Sequence, residues 1–318
     1  MTFREKWLEA VDAKNSTICA GLDPADFEMG RGDEGIPQGI RKFDWAMRYI
    51  EAVAPFVAAV KPNINYWQND RGMEELGLIG EKARDLGLVV IEDKKLVDIG
   101  STNDAGVYYA ARMRDSKFNG DHLKLSRADA VTYAPFPGNL EEAANQAHTR
   151  SIGLISLVLM SNPQFRKIKN AWVKLGEDEV GEYDPGDVVI LEGTNLCSGR
   201  KTEEGEYVRN FVYLANCAKK YNVDAVVIGA PSAKNHITNE EVATVKRYVG
   251  DEMLVLMPGV GKQGGEASAI YKNFSPRNVM VNVGRAMMFP FGSNSTPVQH
   301  AEVARQCCEM INKIRNAA

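Results

Sequence analysis

Asp93 and Lys95 stand two residues apart, directly after the apolar run Leu88-Val89-Val90-Ile91, with Asp98 and Thr102 following closely. Lys61, just ahead of Pro62, lies near the end of a second apolar run, and Asp23 ends a third. A lysine buried alone tends to lose its proton, and flanking carboxylates keep it charged. A lysinium held in this way offers oriented positive charge and a ready proton at one atom, which is what a developing carbanion needs. Groups this close titrate as a coupled set.

Taken singly, each of these residues reads as a solvated strand end. Their repetition at the ends of successive apolar runs is the informative feature. Period-two alternation predicts that Asp93 and Lys95 share one face of a strand, while Asp98, past the strand end, can be aimed elsewhere. Extended backbone is favoured before proline, which supports Lys61 on a strand.

The elements that must position these residues recur along the chain. Eight short, apolar, β-branched-rich runs cover Thr17–Asp23, Ala58–Asn65, Leu88–Lys95, Ala128–Tyr133, Ile152–Met160, Asp224–Ala230, Met253–Val260 and Asn278–Arg285. Each is followed by a turn and a segment of helical period. Near-continuous hydrophobicity implies a parallel sheet covered by helices, and eight units imply a closed (β/α)8 TIM barrel with its active site at the strand C-termini. The expectation is a single domain over 1–318, with 164–210 inserted between strands 5 and 6 and a C-terminal helix in 288–318.

With 44% hydrophobic and 25% charged residues and a net charge of −4, the chain has the composition of a globular protein and no footprint for nucleic acid or anionic membrane. The longest apolar run, Ile152–Met160, is far short of the ~20 residues that span a bilayer. The charged N-terminus, Met1 to Leu8, reads as an amphipathic helix and not as a signal peptide. Five cysteines, Cys19, Cys197, Cys217, Cys307 and Cys308, form no CxxC pair and fit reduced thiols, so a cytoplasmic location is expected. His122, His148, His236 and His300 end no predicted strand and show no HxH or HExxH spacing, so neither a metal nor a cofactor is expected.

Gly259-Val260-Gly261-Lys262-Gln263-Gly264 fits the GxGxxG pattern of a dinucleotide-binding oxidoreductase. It follows the seventh run instead of opening a βαβ unit, and Gly284-Arg285 stands where an acidic ribose ligand would be needed. In barrels the loops after strands 7 and 8 bind phosphate through backbone N–H groups, and Arg285 adds a bidentate donor.

The stretch Asp93-Lys94-Lys95-Leu96-Val97-Asp98-Ile99-Gly100-Ser101-Thr102 resembles the DxKxxDIxxT signature of the orotidine 5′-phosphate decarboxylase family. Cys19-Ala20-Gly21-Leu22-Asp23-Pro24, Val60-Lys61, Met160-Ser161-Asn162-Pro163, the PGVGKQGG segment from Pro258 to Gly265 and Val283-Gly284-Arg285-Ala286 are similar to further family segments, in order. The resemblance runs from about Thr17 to Met287.

It implies loss of CO2 from orotidine 5′-phosphate to give UMP, with no cofactor. Lys61, Asp93, Lys95 and Asp98 would form the catalytic charge network, Lys95 protonating C6 and Asp93 sitting where the substrate carboxylate must be. Asp23 and Lys61 would meet the ribose, Ser161 the pyrimidine, and Gln263, Gly284 and Arg285 the phosphate. Asp98 and Thr102 would reach the neighbouring subunit's substrate, which implies a homodimer with shared sites. Pro231, in Gly229-Ala230-Pro231-Ser232, stands where the family often has threonine, and 164–210 is longer than expected. A sugar-phosphate decarboxylase or hexulose-phosphate synthase shares the Asp-x-Lys-x-x-Asp core but uses magnesium. Thr102, with no glutamate just beyond it, argues for the nucleotide enzyme.

Overall fold

The computed structural model describes residues 1–69, 71–111, 113–118, 121–194, 201–260 and 267–317. All eight apolar runs form parallel strands: β1 (Ile18–Leu22), β2 (Ala59–Pro62), β3 (Val89–Leu96), β4 (Ala130–Tyr133), β5 (Gly153–Leu159), β6 (Ala225–Ile228), β7 (Leu254–Met257) and β8 (Val279–Val283). They pair in sequence order, and β8 returns to β1, which closes the barrel. At that seam a Cβ on Gly21 would lie 2.9 Å from the Gly284 Cα, so a side chain at Gly21 would force the two strand ends apart.

Alternation sorts each strand's side chains into two compartments. Val60, Val90, Val131, Val226 and Val255 face the surrounding helices, whereas Cys19, Ala59, Val89, Ile91, Ala130, Ile155, Ala225, Leu254 and Met280 fill the lower barrel. The N-terminal helix Phe3–Lys14 forms as its pattern predicts and plugs the bottom, packing Phe3, Trp7, Ala10 and Val11 against that inner layer. Its start is fixed by a capping box between Thr2 and Glu5, and the Trp7 indole donates to the Arg277 carbonyl at 2.7 Å. Burying side chains such as Phe3 contributes about 1.5–3 kcal/mol each. With apolar residues below, only the upper mouth is left for polar chemistry.

Residues 164–210 contain the helix Phe165–Lys169 and three antiparallel strands, with Lys201–Arg209 between Trp172–Lys174 and Val189–Thr194. Lys169 is buried, donating to the His236 carbonyl at 2.6 Å and pairing with Glu241, and so ties this segment to the helix Asn239–Val249. A second ribbon, Met113–Phe118 with Asp121–Ser126, lies ahead of β4 and had no counterpart in the sequence reading. Within 288–318, the last helix spans Pro297–Asn316, started by the Thr296 cap with Pro297 in its first turn. Among the described residues no helix is long and apolar enough to cross a membrane.

Candidate active site

Two adjacent strand ends, of β2 and β3, bring Lys61, Asp93 and Lys95 together at the upper mouth. Lys61 on β2 donates to Asp93 Oδ2 at 2.6 Å, and Lys95 donates to Asp93 Oδ1 at 2.5 Å. Lys61 and Asp93 are buried, whereas the Lys95 side chain keeps 47% of its exposure, enough to face an incoming ligand.

The route to this geometry differs from the regular alternation expected. Glu92 pairs with Val131 and Leu96 with Tyr133, so Asp93, Lys94 and Lys95 together oppose Thr132 alone. This is a bulge, and Lys95 within it is left-handed, with φ of 46°. Lys95 and Asp93 do meet, but from within a bulge and not along a regular strand. Lys94 leaves the site and donates to the Gly106 carbonyl at 2.8 Å.

Electrostatics separates the two buried carboxyls. Burial raises the Asp93 pKa, but the charges and hydrogen bonds of Lys61 and Lys95 outweigh it and hold the group well below the usual carboxylate range. For Lys61, burial works against the charge, and Asp93 and Asp23 overcome it, leaving the pKa raised. Asp23 goes the other way: burial raises it, and the opposing charges of Lys61, Lys95 and Arg285 do not cancel that. Among the described residues its buried Oδ1 has no hydrogen-bond partner.

The remaining expected residues are more dispersed. Ser161 follows β5, pressed so close to Gly229 that a Cβ there would lie 2.7 Å from the Ser161 Cβ. Gly284 and Arg285 follow β8, and Arg285 pairs with Glu34 at 2.7 Å. Asp98 is exposed and caps its own neighbour, accepting from the Ile99 N–H at 2.9 Å, and Thr102 is exposed in the helix Gly100–Ala111. Neither touches the lysine cluster of its own chain in any described contact. Gln263 lies outside the described residues, as does most of the glycine-rich segment around it.

Two inward residues were missed. Thr132 on β4 donates to Asp93 Oδ1 at 3.0 Å, and Asn282 on β8 shares the inward face of Met280, its buried Oδ1 without a partner among the described residues. A polar residue two positions after an inward apolar one was the available signal in both strands. No three His, Cys, Asp or Glu side chains among the described residues converge as a metal site.

A closed β/α barrel with a Lys–Asp–Lys cluster at its C-terminal mouth defines a barrel enzyme of the class that binds and acts at the strand ends. Within that class the chain belongs to the Orotidine 5'-phosphate decarboxylase / HUMPS family, whose model matches residues 16–289. It is 28% identical to the orotidine 5'-phosphate decarboxylase of Cupriavidus metallidurans and 26% identical to that of Bordetella petrii, covering 99% of this chain and 100% of each relative. The fold is similar to that of orotidine 5'-monophosphate decarboxylase from Methanocaldococcus jannaschii complexed with inhibitor BMP. That likeness has a TM-score of 0.58 at 20% identity over 93% of this chain and 98% of the other. Family membership sets aside the dinucleotide-binding reading of the glycine-rich segment.

Proposed function

We propose that this chain decarboxylates orotidine 5′-phosphate to UMP in pyrimidine synthesis, as its full-length relatives are named to do. The observation that carries the reading is the Asp93 carboxylate held between Lys61 and Lys95 at the barrel mouth. The C6–carboxylate bond breaks, its electron pair stays on C6, and the Lys95 ammonium gives C6 a proton. With no adjacent carbonyl to spread that charge, fixed positive charge beside C6 is the main stabilisation on offer. Asp93 favours the charged form of the buried Lys61.

The other roles are those the family resemblance implies: Asp23 and Lys61 meet the ribose, Ser161 the pyrimidine, and Gln263, Gly284 and Arg285 the phosphate. Asp98 and Thr102 serve the site of a second copy in a homodimer. The side chains flanking Asp98, Val97 and Ile99, are 52% and 59% exposed, which suits a face covered by another chain. The free thiols Cys19, Cys217, Cys307 and Cys308 suit a reducing, cytoplasmic compartment.

The test is loss of orotidine 5′-phosphate absorbance with purified protein in excess chelator. Steady turnover is expected. No turnover of the nucleotide, or activity that appears only on adding magnesium and a sugar phosphate, overturns the reading.

A further inference from the structure

The bulge in β3 leaves an accounting problem that one side chain solves. Three residues, Asp93 to Lys95, face the single residue Thr132, so the regular ladder is broken where the charged groups stand. The Lys95 N–H finds its partner in the Thr132 hydroxyl, accepting at 2.9 Å in place of a backbone carbonyl. The same hydroxyl donates its proton to Asp93 Oδ1 at 3.0 Å, the oxygen that also takes Lys95 Nζ. Thr132 is 2% exposed, so these bonds are shielded from water.

A lysine at φ of 46° sits in a region that L side chains seldom adopt, and such a conformation persists only where the surroundings hold it. Thr132 grips the Lys95 backbone and the Asp93 carboxylate through one oxygen, donor to one and acceptor from the other. We propose that Thr132 is the positioning residue of this site, locking the bulge so that the Lys95 ammonium and the Asp93 carboxylate keep a fixed relation before substrate arrives. In this role it acts through Lys95 and Asp93. The inference rests on Lys95 being the proton donor proposed above.

Thr132→Val keeps the shape and removes the hydroxyl, and Thr132→Ser keeps the hydroxyl. A displacement of the donor by a fraction of an ångström to 1 Å lowers kcat on orotidine 5′-phosphate by about tenfold to a hundredfold in Thr132→Val, with KM and UMP affinity within about threefold and Thr132→Ser close to the parent protein. If Thr132→Val does not fold, Thr132→Ala carries the same expectation. Full kcat in the folded hydroxyl-less variant overturns the proposal, as does a loss in Thr132→Ser as deep as in Thr132→Val. Lys95→Ala measured alongside separates the two readings. An active Lys95→Ala defeats the assignment of the donor, whereas an inactive Lys95→Ala with a fully active Thr132→Val defeats only the role of Thr132.

Discussion

Arg285 and Glu34 meet at 2.7 Å across the seam where the barrel closes, one opening the short helix after β8 and the other ending the turn Gly32–Glu34 after β1. Their side chains are 52% and 34% exposed, and a pair so open to solvent contributes only about 0–1 kcal/mol. A phosphate offers the guanidinium two parallel hydrogen bonds and more charge than one carboxylate. Arg285 is therefore held at the mouth by a contact weak enough for a phosphate group to displace.

Replacing Arg285 by alanine should lower kcat/KM for orotidine 5′-phosphate by several orders of magnitude, because remote phosphate binding energy organises the reacting end. Glu34→Gln keeps the arginine and drops the competing charge, so UMP should bind a few-fold more tightly, measured by calorimetry at low salt. Normal turnover in Arg285→Ala would move the phosphate site elsewhere.

Lys95→Ala should abolish turnover, since a positioned acid contributes about 10²–10⁴ in rate, while UMP affinity survives because the proton donor acts mainly in the transition state. A residual rate within about tenfold of the parent protein would remove Lys95 as the acid. Lys95→Gly should be equally inactive and yet melt higher than Lys95→Ala. Glycine adopts φ of 46° freely, where a Cβ costs about 1–2 kcal/mol.

The eight strands were legible because parallel strands buried on both faces are written as continuous apolar runs; seven runs contained their strand, and β3 ends at Leu96, one residue past its run. The strand ends then marked Asp23, Lys61, Asp93 and Lys95 without any structure. The bulge at Asp93–Lys95 was not legible, since spacing read as regular alternation cannot show a left-handed residue. Thr132 was overlooked because threonine is an ordinary strand former, so its place two residues after the inward Ala130 did not stand out within Ala130-Val131-Thr132-Tyr133. Glu34 stands in a loop far in sequence from Arg285, where local patterns carry no pairing information. The ribbon Met113–Ser126 escaped because its sequence is charged and lacks the apolar β-branched signal used for the barrel.

The pH dependence of stability divides the buried charges. Asp93 has a depressed pKa, so its contribution is present above the ordinary carboxylate range, about 4, and is lost only as pH falls through its own much lower value. Lys61 has a raised pKa, so its contribution is present below about 10.4 and is lost as pH rises beyond that. The pair is thus intact from mildly acidic to alkaline pH. Asp23 has a raised pKa, which makes its ionised form a cost at neutral pH that disappears on acidification. Asp23→Asn should therefore raise the melting temperature at pH 7, on the order of 2 °C, while slowing turnover. The gain should shrink as pH falls through the Asp23 pKa, and a lower melting temperature at pH 7 would contradict the sign.

Asp98 is exposed and has no described contact with the lysine cluster of its own chain, which leaves it free for the role proposed for it at the site of a second copy. In the proposed homodimer each site joins Lys95 of one chain to Asp98 of the other. Homodimers of Lys95→Ala and of Asp98→Ala should then both be nearly inactive, because every site carries one lesion. A mixed dimer places both lesions in one site and leaves the other whole. With equal amounts and random exchange about half the dimers are mixed, each with one of two sites intact, so activity should recover to roughly a quarter of the parent level. Exchange is followed independently with a mass tag on one variant. If tagged mixed dimers form and activity stays at the level of the single variants, Asp98 acts within its own subunit and the shared site is wrong.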